Sequence, residues 1–193
     1  MLTPTLASGA DMLAKLERER WRAYGASHPT HKADHFYNFC ITALAMKDHV
    51  LQAVGANEEL RNRCYRHWSA IPELAAATEI ANTAKHVVLR RGPTTQAVTP
   101  KAATLLIAYV DEAVNGGEIE EREIPTFEIV LSDGSALEMF SFTTRVVGYW
   151  QAFFDANGIS RRDQNLGELH GLMEGDLSET EPLCTRRSTQ NER

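Results

Sequence analysis

Residues 34–54, DHFYNFCITALAMKDHVLQAV, decide the fold class. At about 100° per residue, Phe36, Cys40, Ala43, Val50, Leu51 and Val54 fall on one wide apolar arc, so the segment predicts an amphipathic helix laid against a core. Asp34 is the expected N-cap and Gly55 the stop. Lys47 interrupts the arc near its middle, Asp48 lies at its edge beside Tyr37 and Ile41, and His49 joins Asn38 and Thr42 on the polar side. An unpaired buried ammonium is costly, so Lys47 must either bend its stem to water or meet an acceptor.

Helical texture extends on both sides. Residues 11–24 (DMLAKLERERWRAY) place Leu13, Leu16, Arg20 and Tyr24 on one side and stop at Gly25, with GASHPTHKAD as the following loop. Asn57 caps a third predicted helix, EELRNRCYRHWSAI, and Pro72 opens a fourth, PELAAATEIANTAKHVVLRR, closed by Gly92 and Pro93. Four helices with short connections predict antiparallel neighbours over residues 11–91.

After Pro100 the texture changes. TLLIAYVDEAV, TFEIVL and ALEMFSF read as short strands, with hairpin signals at Asn115-Gly116 and Asp133-Gly134. TTRVVGYWQAFFDANG then predicts a last amphipathic helix ending at Asn157-Gly158, with Tyr149, Trp150, Phe153 and Phe154 as packing residues rather than a base-stacking platform. The expected class is α+β: an antiparallel four-helix part, an appended antiparallel hairpin sheet (100–158 with the last helix) and a C-terminal amphipathic helix. Residues 1–158 form the predicted domain, and 159–193 read as a mobile polar tail because they offer few large apolar groups to offset ordering.

Composition narrows the function classes. The chain has 193 residues, 43% hydrophobic and 24% charged, with a net charge of −6, which fits one ordinary core and argues against an all-over electrostatic trap for nucleic acid or anionic lipid. Three cysteines without a C-x-x-C pair indicate neither a disulfide framework nor a thiolate zinc site, so the reducing cytoplasm is the expected compartment. No apolar run approaches membrane-spanning length, and the first residues lack a signal-peptide pattern, so no membrane partner is expected. No G-x-S-x-G, P-loop or G-x-G-x-x-G occurs, and no cofactor is expected. His28, His31, Asp34 and His35 crowd one segment, but Pro29 and the loop composition disfavour a metal site.

The predicted fourth helix carries Glu79, Asn82 and His86 along one stripe, with Lys85 at its margin and small residues (Ala76, Ala77, Ala81, Ala84) on the other face. One reading is a solvated face or a buried network that fixes helix register. The other sets the Lys47-Asp48-His49 turn against the Asn82–His86 turn. That cleft would supply a proton-moving histidine, cations for a phosphate and an amide to orient either. Such a set suits metal-independent RNA cleavage or binding of a phosphorylated small molecule.

The pairing of Lys47, Asp48 and His49 with Ala81, Asn82, Lys85 and His86 resembles a family of bacterial and phage proteins in which a K-D-H or K-D-W helix precedes an A-N-x-x-K-H helix. That resemblance implies no activity. Arg61-Asn62-Arg63-Cys64-Tyr65-Arg66-His67 and Ala81–His86 also approach the arginine–polar–histidine motif of HEPN ribonucleases, whose likeness implies a helical bundle acting as a homodimer on RNA. Under it His86 would be general acid or base, Lys47 and Lys85 would offset phosphate charge, and Asp48 and Asn82 would orient them. His49, Glu79, Arg61, Arg63 and His67 would line the binding surface. Two departures stand out: alanine replaces the arginine in the second stretch, and Arg61 and His67 fall on different sides of a straight helix. The rival expectation is a non-enzymatic accessory or inhibitory interaction protein in which the polar stripe is structural glue.

Overall fold

The computed structural model describes residues 6–83, 95–108 and 119–162, with only the backbone described for 96–108 and 119–122. The elements follow in the order α1 (Gly9–Gly25), α2 (Pro29–Ala53), α3 (Glu58–Ser69), α4 (Pro72–Thr83), β1 (Gln96–Ala108), β2 (Ile119–Val130), β3 (Ala136–Glu138) and α5 (Met139–Ala156). The class is α+β.

Local chemistry sets the helix ends. Ser8 and Asp11 form a reciprocal capping box at the start of α1, with the Ser8 hydroxyl donating to Asp11 Oδ2 at 2.8 Å. This bond, with the Ala7 and Ser8 amides, holds the Asp11 carboxyl below its ordinary range. Asn57 caps α3, and Pro72 opens α4, both as the sequence predicts. Past α2, Gly55 takes φ 61°. The Ala56 amide then bonds Leu51 O and the Gly55 amide bonds Gln52 O, a Schellman closure that a side chain at Gly55 would strain.

Two expectations about boundaries are corrected. Asp34 is not the N-cap of α2: the helix starts at Pro29, with His28 Nδ1 accepting the Thr30 amide at 3.3 Å, so the short 26–28 connection replaces the predicted longer loop. Proline suits a loop, but its fixed φ is equally preset for the first helical position, which is where Pro29 sits. Residues 139–142 of ALEMFSF are helical, not strand. Glu138 Oε2 accepts the Phe140 and Ser141 amides, which opens α5 there. The buried stripe then runs Met139, Phe142, Val146, Trp150 and Phe154.

α2 runs antiparallel to α1, as the Lys15–Thr42, Glu19–His35 and Ala23–Lys32 contacts require, and antiparallel to α4. α5 lies along α1 on another side, with Gln151 donating to Glu17 at 2.6 Å. The sheet order is β1-β2-β3, antiparallel throughout. Pro100 in β1 is accommodated by a register shift between Val98 and Pro100, which is how a sheet edge tolerates a residue without an amide hydrogen. The β2–β3 turn is the predicted Asp133-Gly134 hairpin: Gly134 has φ 82°, and Asp133 accepts both the amide and the hydroxyl of Ser135. The Asn115-Gly116 signal, and residues 84–91 of the predicted fourth helix with the Gly92-Pro93 stop, lie outside the described residues.

One apolar cluster joins the helices and the sheet. Phe39, Cys40, Met46, Val50 and Leu51 of α2 meet Leu13 and Leu16 of α1, Trp68, Leu74 and Ala77, Ile129 of β2, and Val146, Trp150 and Phe154 of α5. Phe127 of β2 meets Phe36 edge-on at 4.8 Å, which ties the sheet to α2. Of the tail, Arg162 reaches Asp11 at 3.4 Å, and residues from 163 onward lie outside the described part.

Candidate functional site

α2 carries the polar residues that matter, and its neighbours divide them. Lys47 is 5% exposed and its Nζ donates to Thr78 Oγ1 of α4 at 2.7 Å; the Thr78 hydroxyl in turn donates to Leu74 O at 2.7 Å. The acceptor that the sequence demanded for Lys47 is thus a threonine hydroxyl, and among the described residues no carboxylate lies within 4 Å of it. Burial pulls the Lys47 ammonium down from 10.5 to about 8, and the Asp48 carboxylate offsets part of that fall.

The next residue turns elsewhere. Asp48 is exposed and accepts the Tyr65 hydroxyl of α3 at 2.5 Å, with Arg61 Nη2 3.8 Å away. Burial and this bond to Asp48 push the Tyr65 phenol up to about 12. His49 is half-buried, and its carbonyl faces Gly9 at the start of α1. Three consecutive residues therefore address three different helices.

The α4 residues are distributed in the same way. Glu79 accepts the Thr95 amide at 2.8 Å, clasping the approach to β1. Asn82 is half-buried on the turn reached by Tyr37, whose hydroxyl donates to Ala81 O at 3.3 Å. Tyr37 precedes Lys47 by ten residues, about 15 Å of helix. Lys85 and His86 lie outside the described residues. On α3, Arg61 turns inward to Asp48, whereas Arg63 and His67 are exposed on the outer face. A surface depression of about 300 Å³ lies at the α2–α3 corner, lined by Gly55, Asn57, Glu59, Leu60 and Arg63.

Sequence reasoning missed two buried charged groups. Lys32, 1% exposed, donates to Ala23 O at 2.6 Å and Tyr24 O at 2.9 Å, capping the carbonyl end of α1 with a cation. Glu19, 4% exposed, meets Arg22 at 2.9 Å, His35 at 3.4 Å and Lys15 at 3.6 Å. Lys15 also donates to Thr42 at 2.6 Å, and burial lowers its pKa despite Glu19. The signal for Lys32 was present: it precedes Phe36 by one helical turn and so continues the α2 apolar arc once the helix starts at Pro29.

Among the described residues, no group of three or more His, Cys, Asp or Glu side chains is placed to hold a metal ion, and no helix is long and apolar enough to cross a membrane. Comparison of the chain with protein-family models, curated proteins and solved structures finds no match.

Proposed function

We propose that this is a non-enzymatic interaction protein in which the polar residues of α2 and α4 serve as struts between helices. The observation that carries this reading is the divergence of two adjacent side chains, Lys47 to Thr78 and Asp48 to Tyr65. A ribonuclease cleft needs both groups free to face a phosphate, with donors aimed at the charge that develops in the transition state. Here each is already engaged by a different neighbour. Glu79 is likewise engaged, by the Thr95 amide, which is the use expected of a strut.

The test compares wild type with His86→Ala on a fluorescent RNA mixture without added metal. Neither protein should cleave above the buffer background. Cleavage by wild type that disappears in His86→Ala, with the melting temperature unchanged, overturns the proposal and restores the HEPN-like reading.

A further inference from the structure

The side of α1 that carries Leu13, Leu16 and Tyr24 also carries Arg20, so a guanidinium falls on a packing face. It lies over the Trp21 ring, 4.8 Å from the centroid, and 5.9 Å from the ring of Phe140 at the start of α5. Tyr24 completes the cluster, with its ring 4.4 Å from Phe140 and 6.0 Å from Trp21. All three rings are half-buried, so each still presents part of its surface to water. Cation–π contact holds the guanidinium in place but leaves its N–H donors unused, because they point outward in its plane.

Those donors have no acceptor among the described residues. Arg20 Nε is sealed from water and unbonded; the two Nη groups are unbonded as well but open to solvent. Other cations drawn into the body are satisfied: Lys32 reaches two carbonyls, Lys47 a hydroxyl, and Lys15 a hydroxyl and Glu19. Burial pulls the Arg20 guanidinium below its ordinary range, and Glu17 offsets part of that fall from a distance, its Oε1 being taken by Gln151. Arginine nonetheless keeps its charge at neutral pH. A charged fork that is fixed by stacking and left without an acceptor suits a carboxylate gripped at two points, since its freedom is already lost before binding.

The surroundings select among anions. Glu17 acts on Arg20 and Glu138 on the Tyr24 phenol, so a run of phosphates would meet carboxylates here, and nucleic-acid binding draws on several cations rather than one. A single carboxylate borne on a flat apolar body fits both the fork and the half-buried rings beside it.

We infer that Arg20, Trp21, Tyr24 and Phe140 form a binding site for an aromatic carboxylate, the guanidinium holding the carboxylate and the rings the aromatic body. A free aromatic acid and a peptide with an acidic residue beside an aromatic one share this chemistry. The site stands on α1 and α5, apart from the struts of α2 and α4, and failure of one reading leaves the other in place.

The test uses the full-length chain and proton–nitrogen correlation spectra. A sealed Nε–H exchanges slowly with water, so Arg20 gives its own side-chain signal beside the Trp21 indole. Indoleacetate should shift both signals saturably, with a dissociation constant of about 1 mM, the level a ligand of this size reaches at ordinary efficiency. N-acetyl-aspartyl-tryptophan amide offers the same groups in a peptide, and the tighter of the two probes names the source. Indole, which lacks the carboxylate, should leave both signals in place. In Arg20→Met the Trp21 shift should need at least about tenfold more indoleacetate. The comparison of indoleacetate with indole is made on wild type and does not depend on that variant folding. No saturable shift with either carboxylate, an equal response to indole, or unaltered affinity in a folded Arg20→Met overturns the inference. So does uridine monophosphate binding more tightly than both carboxylates, which would assign the fork to phosphate.

Discussion

Replacing Lys47 by methionine should stabilise the protein at pH 7. The ammonium is 5% exposed, and its one polar side-chain contact among the described residues is a neutral hydroxyl. Burial lowers its pKa from 10.5 to about 8, so at pH 7 the folded state holds the charged form at a cost of about 3 kcal/mol relative to the unfolded chain. Removing the lysine also removes its bond to Thr78. That hydroxyl still donates to Leu74 O, so the loss is about 1 kcal/mol. Methionine fills a similar volume, and the net expectation is a gain of about 2 kcal/mol. The sign with pH follows from the depressed value: the unfolded lysine binds its proton more tightly, so the penalty is complete below pH 8 and is relieved as pH rises from 8 to 10.5. Urea denaturation of wild type and Lys47→Met at steps from pH 7 to pH 10 measures this as a difference, which cancels the titration of tyrosines and other lysines common to both. The advantage of the variant should shrink by more than half across that range. A variant less stable than wild type at pH 7, by an amount independent of pH, would refute the reasoning and show that the ammonium is well compensated.

The other buried lysine should behave in the opposite way. Lys32→Met removes a cation from two α1 carbonyls and should cost about 2–3 kcal/mol by chemical denaturation at pH 7; a change under 0.5 kcal/mol would deny Lys32 its capping role. Ser8→Ala breaks the capping box and should cost about 1 kcal/mol, read as a drop of several degrees in melting temperature. Two tryptophans at the α3–α5 contact offer an internal control: Trp68→Phe loses a bond to Tyr149, whereas the buried Trp150 indole has no acceptor among the described residues. Trp68→Phe should therefore be the more destabilising by about 1 kcal/mol, and equal losses would count against the Trp68–Tyr149 bond.

What the sequence made legible follows physical locality. Caps and turns act within a few residues, so Asn57, Pro72, Gly55 and the Asp133-Gly134 hairpin could be read directly. The start of α2 was harder to read, because Pro29 has the same letter in a loop and at a first helical turn; the His28 ring that caps the Thr30 amide and the reach of Lys32 back to Ala23 O and Tyr24 O favour the helix. Met139 and Phe142 carry both a strand-like run and a helical period, and the arbiter is Glu138, which accepts the Phe140 amide on one oxygen and the Thr126 hydroxyl on the other. The candidate site was legible in part. That Lys47 needed an acceptor followed from its place on the arc; which helix would provide it depended on packing that no local pattern encodes.

The polar side chains of α2 explain why a helix with so wide an apolar arc takes one fixed position. An apolar face alone tolerates sliding and rotation, since its energy is non-directional. Lys32 fixes α2 against the carbonyl end of α1, Thr42 takes Lys15 nearly three turns later, Tyr37 and Lys47 fix α4, and Asp48 fixes α3. Each bond is directional and each has a different neighbour, so a shift of one turn would leave several buried groups unsatisfied at once. Lys47 costs stability at pH 7 but excludes misaligned packings of α2 on α4, because its ammonium finds Thr78 only in one register. Lys47→Met should therefore gain stability and lose definition together. Broadened amide signals confined to α4, in a variant that resists urea better than wild type, are the expected signature of that exchange. A variant with uniformly sharp signals would show that the apolar contacts of Ala77 and Ala81 alone set the register.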